Sequence, residues 1–96
     1  MKYKVKYTSQ FKKELKVAVK RGYDPNEIHY VIDLIADGTN SEVLCSQYKD
    51  HSLKGKWQGY RECHIRPDWL LIYELVEDVL VLSLARTGTH SDLFNH

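Results

Sequence analysis

The chain opens on strict alternation: in "KYKVKYT", residues 2–8, Tyr3, Val5 and Tyr7 point one way and Lys2, Lys4 and Lys6 the other. A period of two predicts a half-buried strand, and the lysines suit a sheet edge because they discourage further pairing. The period then lengthens. Phe11, Leu15 and Ala18 recur at helical spacing behind Thr8 or Ser9 as a cap, with Gly22 where a left-handed end residue is wanted, so a helix is predicted over roughly 9–21. "DPNE" at 24–27 supplies a capping Asp, a Pro at the first helical position and a Glu three residues after the cap; Ile28, Val31, Ile32 and Ile35 follow at helical spacing up to Asp37 and Gly38. Two helices so closely joined predict a hairpin whose apolar stripe lies on a sheet.

From Thr39 to Gly59 no period holds, which predicts a long loop tucked down by Trp57. Three short strands follow, at about 60–66, 69–76 and 79–86, joined at tight-turn lengths by "RPDW" and "VEDV". The fold expected is therefore α+β, in the order βααβββ, with a two-helix hairpin packed on one face of a small, mainly antiparallel sheet. If residue 66 pairs with 69 and residue 76 with 79, Cys63, Ile65, Leu70, Ile72, Val79, Val81 and Ala85 share the helix-facing side. Glu62, His64, Arg66, Trp69, Leu71, Tyr73, Leu82, Leu84 and Arg86 then share the other, with Leu82 and Leu84 as an apolar floor beneath the polar groups.

Length and composition narrow the classes. Ninety-six residues, 43% hydrophobic and 28% charged, make one domain with one modest core. No apolar run approaches a membrane span, no apolar segment follows the first lysines and no Gly stands at position 2, so a cytoplasmic protein without membrane attachment is expected. Cys45 and Cys63 lie too far apart for a CxxC motif and are read as unpaired thiols, Cys63 as a small core residue.

The net charge of +1 conceals a segregation. Residues 1–21 carry eight Lys or Arg against Glu14 alone, residues 24–48 carry five acids and no base, and residues 49–66 turn basic again with Lys49, Lys54, Lys56, Arg61 and Arg66. Clustered cations favour an anionic partner, because neutralising phosphates releases counterions; a solvated helix face is the plainer account of the first cluster alone.

His51, His64 and His90 then draw attention, since imidazole titrates near neutrality. Cleaving RNA without a metal needs a base for the 2′-hydroxyl, an acid for the departing 5′-oxygen and cations for charge growing on phosphorus. The three histidines with Arg86 and Asp68 supply that set. Taken singly, each histidine also fits a structural or surface role, and the set by itself leaves that open. Phe94 either folds back to pack or offers a stacking surface to a base; Trp69 fits sheet packing as well as stacking. No HxxxH or Cys/His spacing marks a zinc site, and no metal or other cofactor is expected.

"YKDHSLKGKWQGYRECHIRPDWLLIY" at 48–73 and "RTGTHSDLF" at 86–94 resemble the YafQ branch of the RelE/ParE superfamily of bacterial toxins, and the order βααβββ agrees over essentially the whole chain. The resemblance implies a ribosome-dependent mRNA endonuclease that cuts in the ribosomal A site without a metal. It also implies a cognate antitoxin of the DinJ kind. By that similarity His51 and His64 form the acid/base pair, His90 and Arg86 position or neutralise the scissile phosphate, and Asp68 orients a histidine or the ribose. Phe94 stacks on a codon base, Trp69 is the aromatic beside the acid, and Lys56 and Arg61 belong to a basic segment that holds RNA. Two other classes keep the fold and drop the chemistry: a ParE-like gyrase-binding toxin, and a non-catalytic ribosome- or RNA-binding module.

Overall fold

A computed structural model of the chain describes residues 1–94. In chain order the elements are β1 (Lys4–Tyr7), α1 (Ser9–Lys20), α2 (Pro25–Asp37), α3 (Ser41–Tyr48), β2 (His51–Ser52), a 3-10 turn (Gly55–Trp57), β3 (Arg61–Arg66), β4 (Trp69–Val76), β5 (Val81–Gly88) and α4 (His90–Phe94). The five strands form one sheet in the order β1-β5-β4-β3-β2. Only β1 runs parallel to its neighbour, at one edge as its lysines foretell; the other pairings are antiparallel.

Local chemistry sets the helix ends. Thr8 Oγ1 accepts the Phe11 N–H at 3.2 Å and donates to the Leu84 carbonyl at 2.7 Å, so the cap of α1 also ties it to β5. Asp24 accepts the Asn26 N–H at 2.9 Å and Pro25 opens α2. The reciprocal cap that "DPNE" suggests does not form, because the Glu27 carboxylate turns to Arg66 instead (2.6 and 2.8 Å). Gly38 closes α2 at φ +75°, where a side chain would be strained and would run into Lys2.

The main core lies between the helices and one face of the sheet: Phe11, Ile28, Val31 and Ile32 meet Leu71, Tyr73, Leu82 and Leu84. A smaller cluster on the opposite face joins Leu70, Ile72 and Leu93, with Leu53, Trp57, Tyr60, Ala85 and Phe94 packed on it.

Three expectations are corrected. The segment 39–59 is not a bare loop: it contains α3, which buries Leu44 and gets no side-chain cap from Asn40, whose amide donates to the Leu34 carbonyl. The turn after β4 spans four residues, Glu77–Leu80, with Leu80 at φ +52°, so Val76 pairs with Val81 rather than Val79. Most consequential, the faces of β4 and β5 are exchanged. A bulge between His64 and Arg66 shifts the β3–β4 register by one, pairing His64 with Leu70 and Cys63 with Leu71. A slip of one residue turns every side chain over. Leu71, Tyr73, Leu82 and Leu84 therefore pack under the helices, and the floor on the side of Glu62 and His64 is Leu70 and Ile72.

Candidate active site

On the face away from the main core, β2 and β3 place His51 directly opposite Glu62, with His64 two residues further along the same side. Glu62 is 5% exposed, and its ion-pair partners among the described residues are two imidazoles: Oε1 lies 3.5 Å from His51 Nε2 and 3.3 Å from His64 Nε2. Burying a carboxylate without a lysine or arginine is costly, and the two imidazoles are the polar groups that face it. His51 Nδ1 sits 2.7 Å from the Lys49 carbonyl. A carbonyl only accepts, so Nδ1 carries the proton and Nε2 is the nitrogen turned towards Glu62.

The third histidine comes from α4. Asp68, in the β3–β4 turn, accepts both the backbone N–H of His90 (2.9 Å) and its Nδ1–H (2.6 Å). Those bonds hold the Asp68 carboxyl below the usual carboxylate range, the backbone N–H first and the ring next. His90 Nε2 is thereby left, among the described residues, as the unpaired nitrogen of an aspartate-oriented imidazole, the arrangement acid–base enzymes use to fix a tautomer. The ring centroids step from His51 to His64 in 6.3 Å and from His64 to His90 in 5.6 Å. A phosphate needs about 2.8 Å to a donor on either side, so these gaps let two rings reach one phosphoryl group.

Of the residues expected at the site, His51, His64, His90 and Asp68 come together. Phe94 is half-buried on the small cluster below them, and Lys56 is exposed on the 3-10 turn. Three others are placed elsewhere. Trp69 has no exposed surface: it stacks on Tyr23 with centroids 4.6 Å apart and donates its Nε1–H to Thr87 Oγ1, so it packs the core beside Asp68 rather than offering a face to RNA. Arg61 points to the helix side, where its Nε and Nη2 clamp Asp50 Oδ1 (2.7 and 2.6 Å). Arg86 is held by Glu14 of α1 through Nε and Nη2 at 2.6–2.9 Å, contacts that raise its pKa.

Asp50 and Glu62, given no role on sequence grounds, are the buried acids that the structure places beside these histidines. Glu62 carried a signal, since it alternates with His64 on one side of a strand; Asp50 carried none beyond preceding His51. Cys63 is fully buried and burial pushes its thiol well up, which keeps it protonated and unreactive. Among the described residues, no three His, Cys, Asp or Glu side chains are grouped as a metal ion would require.

A RelE/ParE-like α+β domain bearing histidines and acids on its open sheet face is the class these observations define. Residues 3–95 match the family model described as the bacterial toxin of type II toxin-antitoxin systems, YafQ, and the chain belongs to that family. It is 43% identical over 90 residues to the mRNA interferase toxin YafQ of Escherichia coli K12, covering 94% of each chain. It superposes on the crystal structure of YafQ from E. coli BL21(DE3) with a TM-score of 0.86 at 41% identity, covering 96% of this chain and 98% of that one. Against YafQ in the E. coli DinJ–YafQ toxin–antitoxin complex the TM-score is 0.83 at 41% identity, with 98% and 99% covered.

Proposed function

We propose that this chain is a type II toxin and an endoribonuclease that cuts mRNA in the ribosomal A site, without a metal, and so stops translation. The observation that carries the reading is the row of three imidazoles above one buried carboxylate, Glu62. His51 and His64 are the acid/base pair. One takes the proton of the 2′-hydroxyl as O2′ bonds to phosphorus; the P–O5′ bond breaks and the other histidine gives its proton to O5′, leaving a 2′,3′-cyclic phosphate. His90, oriented by Asp68, donates to the phosphate, and Arg86 adds charge once it exchanges Glu14 for the phosphate. Phe94 stacks on a codon base. Trp69 serves by packing behind Asp68.

Geometry supports dependence on the ribosome. In-line attack requires an aligned 2′-hydroxyl, and the ribosome holds the message in a fixed path that supplies this alignment to the histidines on the open sheet face. The cations free to meet ribosomal RNA are lysines: among the described residues all four arginines are ion-paired and no lysine is. Lys12, Lys16 and Lys20 on α1, with Lys54 and Lys56 on the second basic segment, are exposed. Such a protein works in the cytoplasm, and the E. coli DinJ–YafQ complex supports a cognate antitoxin of the DinJ kind as its keeper.

Mapping 5′ ends by primer extension on a reporter mRNA in a cell-free translation reaction tests the reading, with His64→Ala and ribosome-free RNA alongside. Codon-phased cuts that need ribosomes and vanish in His64→Ala are expected. Full-length message with both proteins would shift the assignment to a gyrase-binding toxin or an inert binding module.

A further inference from the structure

His51 stands on a strand of two residues, too short to hold a catalytic ring by its own ladder. The residue before it is anchored far more firmly than the strand is. Asp50, 7% exposed, accepts Arg61 Nε and Nη2 through Oδ1 and the Tyr73 hydroxyl through Oδ2, while its N–H donates to the Leu44 carbonyl at 3.0 Å. Asp50 directly precedes β2, so a side chain pinned on the helix side fixes where the chain enters the strand and thereby the direction of His51 on the site side. Lys49 completes the device: at φ +52° it ends α3 and aims its carbonyl at His51 Nδ1, 2.7 Å away. Arg61 belongs to the same frame, being the register partner of Ser52 just as Glu62 is of His51.

We infer that Asp50, clamped by Arg61 and Tyr73, is a positioning residue that fixes the orientation and tautomer of His51 through the sheet. The inference rests on the acid/base role proposed for His51. It is more specific than a contribution to stability, because the clamp acts on the Lys49–His51 segment whose carbonyl selects the protonated nitrogen. Burial holds the Tyr73 phenol far above its ordinary range, so it donates to Asp50 at every working pH. The clamp borders an open cleft of about 290 Å³ between α2, α3 and the sheet, lined by Leu34, Asn40 and Leu44 among others, so water can replace a lost partner and variants here can fold.

The experiment measures single-turnover cleavage of ribosome-bound message by Tyr73→Phe, Asp50→Asn and Asp50→Ala, together with the His51 ring nitrogens by ¹⁵N–¹H correlation spectroscopy on the free protein. Expected are rate losses of about 3-fold, 10-fold and 100-fold in that order, with half-saturation within twofold of wild type. The His51 spectrum should move from a single Nδ1–H tautomer towards a mixture. Asp24→Ala, which removes the α2 cap and lowers stability away from the site, should leave both readouts unchanged. Wild-type rates and an unchanged His51 tautomer in all three variants would overturn the inference while leaving the nuclease reading intact. Normal cutting by His51→Ala would instead overturn the assignment on which the inference rests.

Discussion

Two carboxylates, Asp50 just before β2 and Glu62 in the neighbouring β3, are almost equally buried, with side chains 4% and 6% exposed, and they meet opposite fates. Asp50, on the helix side, is matched by an arginine and a phenol, so its charge is neutralised within the fold. Glu62, on the open side, meets the imidazoles of His51 and His64 instead. Equal burial therefore carries different meaning. Asp50 is held by an arginine and a phenol that anchor the chain, whereas Glu62 lies between the two imidazoles proposed as the acid/base pair. The cations divide as well: among the described residues the arginines are ion-paired, as Arg86 with Glu14 and Arg66 with Glu27 illustrate, and the lysines are not.

Breaking the chemical half should cost most. His51→Gln removes a half-exposed ring without opening the core and should slow cleavage about 10²- to 10⁴-fold, read by single-turnover kinetics, with the melting curve unchanged. Breaking the structural half costs stability. Asp50→Ala leaves Arg61 and the buried Tyr73 hydroxyl without their acceptor and should lower unfolding free energy by about 1–3 kcal/mol in urea titrations, the range being discounted because Arg61 is about a third exposed. Reversing charge at Lys12 and Lys16 touches neither half. It should reduce the slope of log affinity for ribosomes against log salt by about 2, and unchanged binding at raised salt would remove α1 from the interface.

The smallest effect concerns acid. Asp92 anchors α4 through Arg21 Nη1 at 2.6 Å and the Thr89 N–H at 3.0 Å, and these bonds, the Arg21 side chain first, lower its pKa from 3.8 to about 2. The folded state favours the ionised form, so the contribution is whole above about pH 4 and is lost as pH falls through about 2. Amide exchange in α4 should quicken over that window, and Asp92→Asn should be fast already at neutral pH.

What the sequence made legible follows from where its signals are local. Caps and periods marked α1 and α2, and alternation marked the strands. α3 escaped because Asn40 gives no cap and Leu44 is its single buried residue, so no stripe appears. The exchanged faces of β4 and β5 come from one bulge after His64, an event alternation cannot reveal since the residue pattern reads equally well either way up. Histidines could be picked out by type, and the family resemblance gave them roles. Trp69, Arg61 and Arg86 show the limit of that route: their types suit RNA, whereas burial and the acids Asp50 and Glu14 decide what they touch.

The contrast between the two acids is tested most directly by Glu62→Gln, measuring single-turnover cleavage of ribosome-bound mRNA and the thermal midpoint on one preparation. The account predicts a rate at least about tenfold lower with a midpoint equal to or above wild type, since a neutral amide removes a buried charge that lacks a permanent partner. Wild-type cleavage, or a rate loss that only tracks a lowered midpoint, would contradict it.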